Sequence, residues 1–406
     1  MAKAGSTGAP WRSEHELLLV CARTRGAEAR AERARQLIHG GIDWAALLTL
    51  ALDHGVMPLL YRNLFILGPE AAPAPFVDNL RALAMANAYR NLSLTAELLR
   101  VISLLEDNGV PAVAYKGPVL AAVAYGDTAL RQFSDLDLLV GRQDLEKVRA
   151  ILLSAGFLPS HSLTKRQERA YLANTCEFGF ALEDPRVYLD VHWRFAARFM
   201  GPGPDAGAAL AGRRRVAVGG RSVPSLDPED MLLVLCLNGA FHTWWKLSQI
   251  CDVAQLLEAN EGWDWPGLLE RARARGMVRM VLLGVSLAAE LLSAPVPHAV
   301  TSLAGQDLVV TALHDDVKRT LFSGTVVWPS LAGEIRFQVR TLDAPRDRLR
   351  YLWIRSVVPT VQDWEWVALP DPLHALYVLV RPVRLAVHGL AKPLLRRVGV
   401  MRESSS

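Results

Sequence analysis

The sequence predicts an α+β protein in which a small mixed β-sheet core is embedded between amino-terminal and carboxyl-terminal helical regions. Two observations support this fold class. Apolar residues recur at three- and four-residue steps in 44–52, 57–64 and 92–105, and the chain returns to helical patterns after residue 227. Between these regions, short apolar runs bounded by turn residues are typical of strands.

The core is predicted element by element. The expected elements are, in chain order, a strand at 111–115, a helix at 118–125, a strand at 134–140, a helix at 143–155, a strand at 186–193 and a hairpin of 215–218 with 221–223. Pro118 suits the first position of the first of these helices. Asp227 is the expected N-cap of the next helix, with Pro228 at its first position.

The length of 406 residues predicts two or three structural units. Hydrophobic residues make up 51% of the chain, which is enough to form large cores and argues against disorder. The expected regions are 1–105 (helical), 106–225 (α/β core), 226–320 (helical) and 321–406 (helical or irregular, with a basic tail).

The composition also limits location and partners. The longest apolar stretches are too short or too often interrupted by charge to span a bilayer, and the first residues do not resemble a secretory signal. The four cysteines form no metal-ligand spacing and are expected to be buried, reduced thiols, so we expect a cytoplasmic protein. A net charge of +4 does not by itself indicate nucleic-acid binding. Basic residues crowd the carboxyl-terminal stretch, which either contacts a partner or a membrane surface or forms an exposed basic helix face: Arg381, Arg384, Lys392, Arg396, Arg397 and Arg402.

Three carboxylates are the strongest candidates for chemistry. Because side chains alternate along a strand, Asp135 and Asp137 share one face, and Asp190 and His192 share a face of the later strand. Two carboxylates about 6.6 Å apart repel by roughly 2–3 kcal/mol at an effective dielectric of about 20. Such a cluster favours a cation, and oxygen ligands favour Mg²⁺ or Mn²⁺. His192 either orients a ligand or is a hydrogen-bonded structural residue.

The candidate phosphate-binding residues lie around these strands. Lys116 and Gly117 occupy a strand-to-helix turn, where free backbone N–H groups and a lysine charge attract anions. Arg131 and Ser134 immediately precede the carboxylate strand and can reach a triphosphate or an acceptor. His242 and Lys246 are four residues apart, on one face of an expected helix, and either cap the nucleotide or serve packing and surface roles.

The run AYKGPVLAAVAYGDTALRQFSDLDLLV, at 114–140, resembles the uncharacterised nucleotidyltransferase family of the DNA polymerase β-like superfamily. The segments LYRNL, VYLDVHW, LCLNGAFHTWWKLSQICDVAQLL and YVLVRP extend this resemblance over nearly the whole chain. The resemblance implies metal binding by Asp135, Asp137 and Asp190, and phosphate binding near Lys116, Gly117 and Ser134. Many superfamily members carry Gly-Ser at the helix entry, whereas this chain has Lys-Gly, as in toxin-like branches. Relatives often occur among genes for modified peptides, which suggests a peptide or small-molecule acceptor rather than nucleic acid.

These observations predict a Mg²⁺-dependent enzyme that moves a nucleoside monophosphate from an NTP to a hydroxyl or phosphate acceptor. Peptide or natural-product modification is one setting for such an activity. Two alternatives stay open at this stage. One is a nucleotide-binding scaffold without turnover, and the other is a glycosyltransferase whose D-x-D motif binds a nucleotide sugar.

Overall fold

The computed structural model describes residues 11–183, 187–323 and 330–387. Arg381 and Arg384 of the basic stretch fall within this part, whereas Lys392, Arg396, Arg397 and Arg402 lie outside the described residues. The helices are α1 Ser13–Cys21, α2 Ala27–His39, α3 Trp44–Asp53, α4 Met57–Leu67, α5 Ala74–Asp107, α6 Gly117–Leu120, α7 Leu145–Ser154, α8 Lys165–Asn174, α9 Ala206–Ala211, α10 Pro228–Phe241, α11 Leu247–Ala259, α12 Trp265–Ala274, α13 Val278–Leu292, α14 His298–Gln306, α15 Leu308–Leu321, α16 Leu331–Thr341, α17 Pro345–Val357, α18 Val361–Trp366 and α19 Tyr377–Ala386. Within the described ranges, none of these helices is both long and apolar enough to cross a bilayer.

Seven strands form one mixed sheet and one hairpin in the described part of the chain. Their bounds are β1 Ala112–Ala114, β2 Asp135–Val140, β3 Leu158–Pro159, β4 Glu177–Leu182, β5 Val187–His192, β6 Arg214–Val218 and β7 Arg221–Ser225. The sheet order is β1-β2-β5-β4-β3, and β6 pairs with β7. Only the β2–β5 pair is parallel among these strand pairs. The predicted fold class, a small mixed sheet between helical regions, is therefore confirmed.

The two faces of the sheet pack against different helices. Leu136, Leu138 and Leu189 face the long helix α5, and they share a core with Leu98 and Val101 of that helix. The opposite face carries the aspartates of β2. Its apolar residues, Val113, Tyr115 and Leu139, belong instead to the large core of the helical regions. The aspartate-bearing face therefore shares a core with helices of both the amino-terminal and the carboxyl-terminal regions.

The turn between α10 and α11 corrects one prediction. His242 and Lys246 do not share a helix face, because α10 ends at Phe241 and α11 begins at Leu247. Thr243 and Trp244 adopt left-handed backbone angles, with φ of 58° and 54°. These angles turn the Trp244 indole back into the core, where it is fully buried.

Two small residues make room for that indole. A Cβ added to Gly239 would fall 2.4 Å from the Trp244 ring, and one added to Gly284 would fall 2.9 Å from it. Burial of a tryptophan is worth about 3–5 kcal/mol, which offsets the cost of about 1–3 kcal/mol for each of the two left-handed residues. The helix therefore breaks because the turn lets Trp244 fill the space above these glycines.

Part of the sheet was not predicted from the sequence. The segment between α7 and β5 contains β3, α8 and β4, and β4 lies directly beside β5. The helical pattern at 92–105 is also only the end of α5, a single helix of 34 residues. The N-cap prediction is confirmed, since the Asp227 side chain accepts hydrogen bonds from the backbone N–H groups of Glu229 and Asp230.

Candidate active site

Asp137 and Asp190 are directly opposite each other on the parallel strands β2 and β5. Asp135 lies two residues earlier on β2 and therefore points to the same face. Asp137 is 5% exposed, while Asp135 and Asp190 are partly buried. The strand register thus brings the three predicted carboxylates together on one face of the sheet.

Two side chains contact the same oxygen of Asp137. Lys116 Nζ donates to Asp137 Oδ1 at 3.0 Å, and His192 Nε2 lies 3.1 Å from that oxygen. Burial alone would raise the pKa of Asp137, but Lys116 and His192 outweigh burial and hold the pKa well below its ordinary value. Lys116 is affected in the complementary way: burial opposes its charge, but Asp137 keeps the pKa of Lys116 above its ordinary value. Asp137 is therefore a permanent anion in this pair.

Asp190 is in the opposite electrostatic situation. Burial, reinforced by the negative charges of Glu177 and Asp137, raises the pKa of Asp190 to about 7. Burial and the charge of Asp137 also raise the pKa of Asp135. Without a cation, Asp190 therefore holds its proton at pH values where an ordinary aspartate has lost it, and a cation would relieve this repulsion.

A glycine lies beside Asp190 on the neighbouring strand. Gly179 of β4 is its cross-strand partner, and a Cβ added there would fall 3.4 Å from Asp190 Oδ1 and 2.7 Å from the Ser160 hydroxyl. A larger side chain at this position would collide with Ser160 and crowd the carboxylate. Glycine therefore lets the Ser160 hydroxyl pack against β4 beside Asp190.

Lys116 and Gly117 form the turn between β1 and α6, as predicted. Gly117 has a φ of 51°, and a Cβ there would meet the Asp135 carbonyl oxygen at 3.2 Å. Glycine thereby permits the close approach of this turn to β2. Ser134 is exposed immediately before β2, at the same edge of the sheet. These three residues lie at the end of the sheet where β2 begins with Asp135.

Arg131 has a protein partner in this structure. Its Nε and Nη2 each donate to one carboxylate oxygen of Asp252 at 2.8 Å, and the Tyr125 hydroxyl donates to Asp252 Oδ1 at 2.7 Å. Asp252 belongs to α11, so this bidentate pair connects the segment before β2 to the helical region. The predicted phosphate role for Arg131 would have to compete with this pairing.

His242 lies close enough to the site for the charges of Lys116 and Asp137 to influence its pKa. Burial, together with the neighbouring Lys116, lowers the pKa of His242 to about 4, so its imidazole is neutral at physiological pH. The Lys246 ammonium lies 4.6 Å from the centre of the Trp245 ring. Both residues occupy the turn between α10 and α11, and of the two His242 is the one whose charge is coupled to Lys116 and Asp137.

A second cluster lies next to the carboxylates. His192 Nδ1 is 3.2 Å from Glu177 Oε2, and Cys176 Sγ is 3.7 Å from the same oxygen. Strands β4 and β5 pair Glu177 with His192. The spacing of these residues along the chain did not predict the cluster. The expectation that all four cysteines are buried is wrong for Cys176, which is partly exposed.

More than half of the chain matches one known protein family. Residues 40–293 match the family described as uncharacterised nucleotidyltransferase. This chain belongs to that family. The match includes β1, β2 and β5 and all the candidate site residues named above. The protein is therefore a nucleotidyltransferase, a class of transferase whose substrate is an NTP and whose members generally use a divalent metal.

Solved structures give weaker likenesses to this nucleotidyltransferase. The antibiotic-resistance factor ANT(2'')-Ia is 13% identical, with a TM-score of 0.33 over 45% of this chain and 91% of that chain. An antigenic nucleotidyltransferase-like protein from Paracoccidioides brasiliensis is also 13% identical, with a TM-score of 0.32 over 52% of this chain and 96% of that chain. A comparison with curated proteins gives no match.

The residues of the nucleotidyltransferase fit a magnesium ion. Asp135, Asp137 and Asp190 offer carboxylate oxygens, the hard donors that Mg²⁺ prefers. Lys116 and His192 both contact Oδ1 of Asp137, so the other oxygen of that carboxylate can serve as a ligand. The repulsion that raises the pKa of Asp190 supports the same interpretation, because a cation would remove it.

Proposed function

We propose that this nucleotidyltransferase transfers a nucleoside monophosphate from a magnesium-bound NTP to a hydroxyl or phosphate acceptor. The observation that carries the proposal is the register of β2 and β5. It sets Asp137 opposite Asp190, with Asp135 on the same face. Membership of the family supplies the reaction class, and this geometry supplies a site suited to it.

Each carboxylate has a different role in this proposal. Asp135 and Asp137 bind cations on the phosphate side. Asp190 also contributes a ligand and accepts the proton of the acceptor hydroxyl. Magnesium, when bound, neutralises phosphate charge and makes the acceptor hydroxyl more acidic. The acceptor oxygen then forms a bond to the α-phosphorus while the bond to the bridging oxygen breaks, and pyrophosphate leaves.

The phosphate-binding residues follow from their position around the carboxylates. Lys116 carries three N–H donors and uses one on Asp137, so it can also donate to a phosphate oxygen. Gly117 and Ser134 offer a backbone N–H and a hydroxyl at the same edge. His242 and Lys246 approach from the helical side, where the neutral imidazole of His242 can hydrogen-bond the nucleotide. Arg131 has a smaller part, because Asp252 occupies its guanidinium.

The class of acceptor is proposed from the family resemblance of the sequence and from its net charge. The resemblance of the sequence to relatives that occur among genes for modified peptides suggests a peptide or small-molecule acceptor. A modest net charge of +4 offers little electrostatic attraction for nucleic acid. We therefore favour a peptide or natural-product acceptor.

Metal-dependent NTP binding tests the site without knowledge of the acceptor. We expect the Asp135→Asn/Asp137→Asn variant to bind a fluorescent NTP at least about tenfold more weakly in Mg²⁺, because it loses two cation ligands. Asp78→Asn/Asp315→Asn is the matched control, since both of these side chains are largely exposed and distant in sequence from the site. Equal affinity of the site variant and the control would refute the assignment.

Turnover is tested separately with candidate acceptors. Pyrophosphate release that depends on the acceptor, and that is lost in Asp190→Asn, would support catalysis. Tight NTP binding without release for any peptide or small-molecule acceptor would favour the scaffold alternative. Preferential stabilisation by UDP-sugars over NTPs would favour the glycosyltransferase alternative.

A further inference from the structure

The second cluster, formed by Cys176, Glu177 and His192, has the composition of a transition-metal site. Its ligand atoms are one thiol sulfur, one carboxylate oxygen and one imidazole nitrogen, and all lie within 4.8 Å of one another. Sulfur and imidazole ligands select zinc over magnesium. The donor chemistry therefore differs from that of the neighbouring three-aspartate site.

The hydrogen bonding of His192 favours a ligand at its other nitrogen. When Nε2 carries the proton, it donates to Asp137 Oδ1 at 3.1 Å. The neutral ring then presents a lone pair at Nδ1. That atom is buried and makes no hydrogen bond, although Glu177 Oε2 is only 3.2 Å away. Two acceptors facing each other at this distance repel, and a cation between them would replace repulsion with two bonds.

The spacing of the donors agrees with tetrahedral zinc. Zn–S and Zn–N or Zn–O bonds of ordinary length place sulfur about 3.6 Å from oxygen, and nitrogen about 3.4 Å from oxygen. The observed separations are 3.7 Å from Cys176 Sγ to Glu177 Oε2 and 3.2 Å from that oxygen to His192 Nδ1. The third pair, Cys176 Sγ and His192 Nδ1, lies within 4.8 Å.

The partly exposed Glu177 side chain gives a cation access to the cluster. The His192 ring, in contrast, is buried and held rigidly. The Glu177 side chain is 43% exposed, whereas that of His192 is 5% exposed. Tyr115 packs edge-on against the His192 ring with centroids 5.5 Å apart, and Tyr115 is itself fully buried. A histidine that binds a metal through one nitrogen and donates to a carboxylate through the other is a common arrangement around zinc.

We propose that Cys176, Glu177 and His192 bind a zinc ion through three protein ligands, leaving one position for water or another small ligand. The ion fixes His192 as the tautomer that donates to Asp137, and so fixes the carboxylate that faces Asp190. The site is structural support for the aspartate cluster and is distinct from its magnesium ligands. This inference does not depend on the proposed transfer reaction.

Cobalt substitution tests the site without an activity measurement. Metal-free protein is titrated with Co²⁺ in a large excess of Mg²⁺, which keeps the aspartate site occupied. A thiolate-bound tetrahedral Co²⁺ gives a near-ultraviolet charge-transfer band and strong visible absorption. We expect both signals at a stoichiometry of one, with Zn²⁺ displacing Co²⁺.

Variants identify the ligands. Cys176→Ser should abolish the charge-transfer band, and Glu177→Gln should weaken Co²⁺ binding by at least about tenfold. Cys251→Ser is the matched thiol control, because its thiol already donates to the Ala22 carbonyl and a hydroxyl can replace it. Asp135→Asn should leave the band intact.

Circular dichroism checks that each variant is folded, and Glu177→Gln provides a second test if Cys176→Ser is unstable. No band in the unsubstituted protein, or a band that persists in Cys176→Ser, would overturn the proposal. Absence of Co²⁺ binding would likewise overturn it.

Discussion

Replacement of Asp190 by asparagine should stabilise the metal-free protein, and the gain should grow with pH. Asp190 has a pKa of about 7 in the folded chain, against an ordinary value of 3.8. Below about pH 4 the group is protonated in both the folded and the unfolded chain. As pH rises from there through 7, the unfolded chain loses this proton first, so the stability of the folded chain falls.

The pKa shift of Asp190 determines how much stability the Asp190→Asn substitution can add. A pKa difference of about three units corresponds to an upper limit of about 4 kcal/mol. Because Asp190 keeps some solvent contact, screening reduces this limit, and we expect a gain of about 2 kcal/mol at pH 8. An asparagine of the same shape carries no charge, so it removes the repulsion from Glu177 and Asp137 without leaving a cavity.

The assay is denaturant unfolding of the parent protein and Asp190→Asn in EDTA at pH 5 and pH 8. The difference in unfolding free energy should be clearly smaller at pH 5 than at pH 8, where it is largest. Addition of Mg²⁺ at pH 8 should stabilise the parent more than the variant. A gain that does not change with pH, or a loss at pH 8, would refute the electrostatic reasoning.

Three further substitutions test the surroundings of the site. Gly239→Ala should cost about 1–3 kcal/mol in thermal or denaturant unfolding, because a methyl group collides with the buried indole above it. Gly305→Ala, in helix α14, meets no atom within 4 Å and should instead stabilise by up to about 1 kcal/mol. Arg131→Gln should destabilise the fold by about 3 kcal/mol by leaving the carboxylate of Asp252 without its bidentate partner; a loss of NTP affinity with unchanged stability would instead indicate phosphate binding. Lys116→Met should lower stability in EDTA by about 2 kcal/mol, and Mg²⁺ should restore part of it; an equal loss with and without Mg²⁺ would contradict this account.

The parts of the fold that the sequence predicted are those with a clear period. β2 and β5 alternate apolar and polar residues, so their faces, and the convergence of Asp137 with Asp190, followed from the pattern. The turn at Lys116 and Gly117 was recognisable because glycine and proline follow a buried strand. The roles assigned to these residues remain predictions, because no ligand contact tests them.

The parts that were missed lack such a pattern. The strand β4 is partly exposed on both faces and contains Gly179, so it shows little alternation. The helix α8 has a polar sequence with no buried residue. Glu177 and His192 are brought together only by the pairing of β4 with β5, which residue spacing along the chain does not reveal. The turn at Trp244 depends on Gly284, 40 residues away, so the sequence around the turn does not predict it either.

The side of the sheet that carries the aspartates shares its apolar interior with helices from both ends of the chain. Val113, Tyr115 and Leu139 would be stripped of their covering if residues 106–225 were produced alone. Such a fragment would expose an apolar surface beside its own active site and should aggregate. Attempts to excise a minimal catalyst, or to transplant it into another scaffold, would therefore need to carry the enclosing helices along.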